Sequence, residues 1–267
     1  MDNTFESRNQ AGKAEMQVLA TFRRMGAPHW LGLYAIVLAA WVALFAMQTP
    51  VELRNLADVY GADFWRELCT VEAGWAGLPI TILMWLLMSA AMMAPTAIPA
   101  LVTWDDLVIS GAARGFGALL FGYLAVWGGF SVFASIFQVV LAEFQLLDGF
   151  GKSTNDLVTA SLLLIAGAYQ FSALKEACLS KCRKPLTFFM QYWNEGPLRM
   201  GLRLGAVCLG CCWALMVLAF VGGTMNLLWM GGAMILMFLE KMPDIGRYLT
   251  RPVGLALIGA AGLVLVF

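Results

Sequence analysis

Five of the six cysteines in this 267-residue chain fall into two short runs, Cys178-Leu-Ser-Lys-Cys182 and Cys208-Leu-Gly-Cys211-Cys212. On a helix, residues three or four apart share a face. Cys178 and Cys182 therefore line one stripe, and Cys208, Cys211 and Cys212 another, which Met216 continues by one turn. Clustered thiols that converge from neighbouring helices are soft ligands, suited to Cu(I), Zn(II) or an iron–sulfur cluster. The opposing reading is that a free cysteine is a small hydrophobe buried inertly; the isolated Cys69 is assigned that way. Thiol–disulfide exchange through Cys211-Cys212 or Cys178/Cys182 is the redox alternative.

Methionine supports the soft-metal reading without carrying it. Met84, Met88 and Met92 recur every four residues, and Met225, Met230, Met234 and Met237 form a second series. Thioethers bind Cu(I), although methionine at helical spacing is also flexible core filling. Lys175 and Glu176 stand beside Cys178, and Glu240 and Lys241 close a later apolar run. Charges at such ends either snorkel to the interface or serve a function. In the functional reading, Lys175, Lys181, Arg183 and Lys184 favour thiolate in nearby cysteines, and Glu240 completes the site or accepts its protons. The candidate metal ligands are Cys178, Cys182, Cys208, Cys211 and Cys212, with Met216, Met92 and Glu240 as secondary members.

The elements that position these residues are membrane helices. With 61% hydrophobic and 13% charged residues, the chain is far more apolar than a soluble domain, which carries about a quarter charged residues. Basic and acidic residues cancel, so global charge gives no reason to expect a nucleic-acid partner. A spanning helix needs about 20 mainly apolar residues. Seven candidates read as Trp30–Gln48, Gly77–Val102, Phe116–Ala142, Leu157–Leu174, Leu204–Val221, Met225–Leu239 and Val253–Phe267. Their crossings leave fourteen Lys and Arg on one side and three on the other. Cytoplasmic loops collect basic residues, so the N-terminus is expected inside. The fold class expected is all-α, a polytopic bundle of about seven transmembrane helices with a cytoplasmic N-terminus.

Within that frame, residues 1–29 form a cytoplasmic N-terminal segment without the apolar stretch and cleavage site of a signal peptide. Residues 30–267 form the membrane domain, with an outer loop at 49–76, containing an amphipathic helix around Asp58–Cys69, and a basic cytoplasmic loop at 175–203. Pro95 and Pro99 bend the second span and open space in its cytoplasmic half. Small residues such as Gly128, Gly129, Gly201, Gly205, Gly222, Gly223, Gly231 and Gly232 suit close helix contact. Tyr123, Gln170 and Asn226 require hydrogen-bond partners in lipid and read as interhelical glue. The topology puts Cys178 and Cys182 at the cytoplasmic end of the fourth span and Cys208–Cys212 in the first turns of the fifth, at similar depth.

The sequence also excludes chemistries. Its single histidine, His29, rules out bis-histidine haem or a histidine-based zinc site within one chain. It carries no phosphate loop, no G-x-S-x-G elbow and no H-E-x-x-H pair, so recognised enzyme signatures are absent.

Met88–Ala100 (MSAAMMAPTAIPA), Leu174–Pro185 (LKEACLSKCRKP), Cys208–Met216 (CLGCCWALM), Met225–Met230 (MNLLWM) and Glu240-Lys241 together resemble the motifs of a bacterial family described as predicted metal-binding integral membrane proteins, a domain of unknown function. The resemblance runs from the second span to the sixth, and the paired CxxxC and CxGCCW motifs are its most specific part. It implies a metal-binding membrane protein. The function expected is binding of a soft transition metal, Cu(I) ahead of Zn(II), for transport, storage or delivery in the bacterial inner (cytoplasmic) membrane. The partners are the lipid bilayer, the metal ion and other membrane or metal-carrier proteins. Besides the redox alternative, a non-catalytic partner subunit would use the same motifs as packing surfaces.

Overall fold

The computed structural model describes residues 28–48, 75–111, 114–242 and 245–266. Nearly all of the outer loop, its expected amphipathic helix, Cys69 and nearly all of the N-terminal segment lie outside the described residues.

The described chain is all-α. Its helices are α1 (Pro28–Gln48), α2 (Leu78–Thr96), α3 (Ile98–Ile109), α4 (Phe116–Glu143), α5 (Asp156–Tyr169), α6 (Ala173–Arg183), α7 (Pro185–Gln191), α8 (Gly196–Val217), α9 (Ala219–Gly222), α10 (Leu227–Lys241) and α11 (Gly246–Val266). Five stretches are long and apolar enough to cross a membrane, namely α1, α2, α4, α11 and the run Trp193–Gly222 that contains α8. The bent pair α5–α6 makes a sixth if it counts as one span. At 15 residues, α10 is shorter than a full crossing requires. The exterior is apolar, with Phe45, Phe121, Phe133 and Leu255 each about two-thirds exposed. That surface suits lipid rather than water.

Local chemistry sets the helix boundaries. Asn155 caps α5 by accepting from the Leu157 and Val158 amides. Ser172 caps α6 through the Lys175 amide, and Asn226 caps α10 through the Trp229 amide. Asn226 is thus a cap rather than interhelical glue. The second span breaks at Ala97 between α2, which contains Pro95, and α3, which begins beside Pro99. This is where missing amide donors permit a break. The fourth span does not run straight through Leu174: α5 and α6 meet at 62°. The stretch 175–203, which sequence reading treats as a loop, is helical over most of its length.

Close backbone contact locks α8 against α4. A Cβ on Gly201 would overlap the Leu119 carbonyl, one on Gly205 would crowd the Tyr123 carbonyl, and one on Gly122 would meet the Leu198 carbonyl. Gly167 and Gly254 do the same for α5 and α11. Gly129 and Gly232, by contrast, have nothing near them. Polar groups pair between helices: Ser89 Oγ lies 2.9 Å from Ser131 Oγ, and Trp85 Nε1 donates to Gln138 Oε1 at 2.7 Å. The cysteine-bearing helix α8 thus packs closely on α4 and also contacts α6.

Candidate metal centre

Helix α8 begins at Gly196, eight residues before the apolar run at Leu204, so Cys208–Cys212 lie past its middle rather than in its first turns. The polar start is accommodated at the surface, where Arg203 bonds Glu195 and its guanidinium lies 4.5 Å from the Tyr192 ring centroid. The i, i+3, i+4 spacing then points three buried thiols to one side. The sulfurs of Cys208, Cys211 and Cys212 all lie within 4.8 Å of one another, and those of Cys211 and Cys212 are 3.3 Å apart. Cys211 Sγ also donates to the Cys208 carbonyl at 3.1 Å.

A fourth thiol comes from α6, with Cys182 Sγ 4.0 Å from Cys211 Sγ. Cys178 is placed differently. It packs on the bare backbone of Gly210, where a Cβ would stand 2.7 Å from its sulfur, and Tyr169 donates its hydroxyl to the Gly210 carbonyl. The five described cysteines are free.

Two polar side chains, Tyr123 and Lys241, contact the Cys208 sulfur. Tyr123 Oη is 3.2 Å from that sulfur and donates to the Met93 carbonyl at 2.8 Å. Lys241 Nζ lies 3.0 Å from the same sulfur and 2.7 Å from Thr96 Oγ1. An ammonium carries donors only, so the Cys208 sulfur accepts, and a thiolate there would balance this buried cation. Beside it lies a cavity of about 20 Å3 bounded by Thr96, Ala97, Pro99, Cys182, Cys208 and Lys241. The break of the second span at Ala97 thus provides the space next to the thiols.

Sequence reasoning named Lys241 but gave the working role to its neighbour. Glu240 is not at the thiols: it forms an ion pair with Lys175 at 2.8 Å, both side chains 1% exposed. Of the two readings, snorkelling does not hold for these two charges, since they pair with each other inside the bundle. Arg183 Nε donates to the Glu240 carbonyl at 3.0 Å. Lys175 and Arg183 are thereby committed to latching α6 onto α10, and among the described residues the cation hydrogen-bonded to a cysteine is Lys241. A buried Lys one residue from a buried Glu in an apolar helix was the signal available for it.

Met92 and Met216 are buried, but around a separate cavity that they share with Met88 and Met230. Among the described residues the arrangement offers a neutral or anionic all-sulfur donor set, with no histidine or carboxylate within the cysteine cluster. Such a set suits a soft monovalent or thiophilic cation.

A family model described as "PpoB2: Copper chaperone" matches residues 82–264. Neither the curated proteins nor the solved structures contain a match.

Proposed function

We propose, for a chain that belongs to the PpoB2 copper chaperone family, that copper is its cargo and that Cys208, Cys211 and Cys212 hold it as Cu(I), with Cys182 within reach. The observation that carries this reading is the group of three buried sulfurs within 4.8 Å of one another. Thiolates are the strongest protein donors for a soft ion. With Cys182 the four thiols could also close a zinc tetrahedron, so copper is preferred over zinc here on the family description and not on ligand count. Tyr123 and Lys241 orient Cys208, and Lys241 supplies the charge that offsets thiolates in a medium where an unpaired anion is costly. The protein then delivers the ion to a copper-requiring or copper-carrying protein. It does so as a seven-span protein of the bacterial inner membrane with its N-terminus in the cytoplasm, as the basic-residue asymmetry supports.

The test is competition for Cu(I) between a chelator and the reduced, detergent-purified protein. Thiols must lose protons to bind, so the expected affinity weakens in acid and disappears in the Cys208→Ser/Cys211→Ser/Cys212→Ser variant. Absence of copper binding by the reduced wild type, with a reversible disulfide on oxidation, would transfer the argument to thiol–disulfide exchange.

A further inference from the structure

We infer that the protein has a second copper site, built from thioethers, in the cavity between α2, α8 and α10; the inference builds on the proposed copper cargo and concerns different residues. Four methionines from three helices surround this cavity: Met88 and Met92 from α2, Met216 from α8 and Met230 from α10. Each is at most 2% exposed. The cavity measures about 10 Å3, close to the space of one small sphere the size of a water. Its remaining walls are Leu215, Ala219, Trp229 and Ala233, so among the described residues no carboxylate, hydroxyl or imidazole faces it.

That lining decides the ligand class. A water there would lack the two to four polar side-chain partners that hold buried water. Zn(II), Mg(II) and Ca(II) need anionic, imidazole or oxygen donors. Neutral thioethers select a soft monovalent ion, Cu(I) or its surrogate Ag(I). Methionine used only as filler closes voids between helices; here four of them leave one open.

The position relates the two sites. Met216 lies four residues beyond Cys212 on the same face of α8, a rise of about 6 Å. Thr96, Tyr123 and Lys241, which surround the cysteine centre, stand near one set of helix ends, at the end of α2, the start of α4 and the end of α10. Met216 and Met230 stand towards the opposite set, at the end of α8 and the start of α10, while Met88 and Met92 lie in α2 one to two turns before Thr96. The thioether site is therefore the next soft donor set along the bundle axis from the thiols.

The experiment is Cu(I) binding to full-length protein in detergent, in three forms: wild type, a variant with Cys178, Cys182, Cys208, Cys211 and Cys212 changed to Ser, and a Met88→Leu/Met92→Leu/Met216→Leu/Met230→Leu variant. Met and Leu are close in volume, so the last should fold, which circular dichroism checks. Each variant is expected to bind one ion fewer than wild type. Copper retained by the cysteine-free variant should bind equally well in mildly acidic and mildly alkaline buffer, because thioethers carry no proton to lose. With selenomethionine labelling, X-ray absorption at the copper edge of that variant should show selenium neighbours. Adding the four Leu replacements should remove both ion and signal. Undiminished binding by the methionine variant, or copper in the cysteine-free variant without selenium neighbours, overturns the thioether site. No copper in the cysteine-free variant, with wild-type stoichiometry in the methionine variant, overturns it while leaving the cysteine centre standing. Loss of copper only in the methionine variant supports it and overturns the cysteine centre instead.

Discussion

Lys241 is the side chain whose removal separates an organised metal centre from thiols that merely share a helix face. It bridges Cys208 and Thr96 from α10, at 3.0 and 2.7 Å. Outer partners of metal ligands typically cost 10–100-fold in affinity when removed. Lys241→Met should therefore weaken Cu(I) binding by about 10–100-fold, measured by chelator competition with thermal unfolding as the control for fold. Unchanged affinity would leave Lys241 with no part in the site. At this scale the cysteine stripe was legible in the sequence, because Cys208, Cys211 and Cys212 lie three and four residues apart and helix geometry does the rest. The choice between Glu240 and Lys241 was not legible. Adjacent residues on a helix differ by about 100° in direction, and the rotation of α10 is set by Arg183 and Lys175 on another helix.

Two pieces of helix packing hold the thiols in place, and each can be broken separately. The Lys175–Glu240 pair is fully buried, so Lys175→Met leaves an uncompensated carboxylate and should cost about 3–5 kcal/mol. The double replacement Lys175→Met/Glu240→Met should recover most of that loss, since an apolar pair replaces the ion pair without an orphaned charge. A double variant no more stable than the single one would contradict the pairing. On the other side of α8, Gly201→Ala pushes a Cβ into the Leu119 carbonyl. Forced separation of α8 and α4 should cost about 1–3 kcal/mol and weaken copper binding by drawing Cys208 away from Tyr123. A wild-type melting temperature and copper affinity would refute the close contact. The packing role of Gly201 and Gly205 and the break near Pro95 and Pro99 followed from residue type. The 62° bend between α5 and α6 did not, because no proline marks it; the local signal was Ser172, which caps the new helix. The early start of α8 was hidden because Arg199 and Arg203 look like loop residues in a hydropathy reading, whereas Arg203 bonds Glu195 at the helix surface.

Across the whole molecule, the sequence conveyed the all-α, lipid-suited character through composition; α1, α2, α4, α5, α8, α10 and α11 overlap the seven apolar runs it marked, whereas α7 and most of α6 fall in the stretch read as a loop. Length alone admits five or six spans, because α10 is short and α5–α6 is bent. The proposed seven-span arrangement predicts that a reporter fused after Met242 is active in the cytoplasm and one fused after Phe267 in the periplasm; activity of both on one side would remove it. That orientation places the cysteine centre in the cytoplasmic half of the bundle and the methionine cavity beyond it. The sequence had assigned Met92 and Met216 to the cysteine site, since only the packing of α2, α8 and α10 shows that they surround a space of their own. The central claim is that copper is held by the thiols of α8. Its most direct test is X-ray absorption at the copper edge of reduced protein loaded with one equivalent of Cu(I), compared with the Cys208→Ser/Cys211→Ser/Cys212→Ser variant. A first shell of sulfur only, replaced or lost in the variant, is the predicted result; nitrogen or oxygen neighbours in the wild type, or an identical spectrum from the variant, would contradict it.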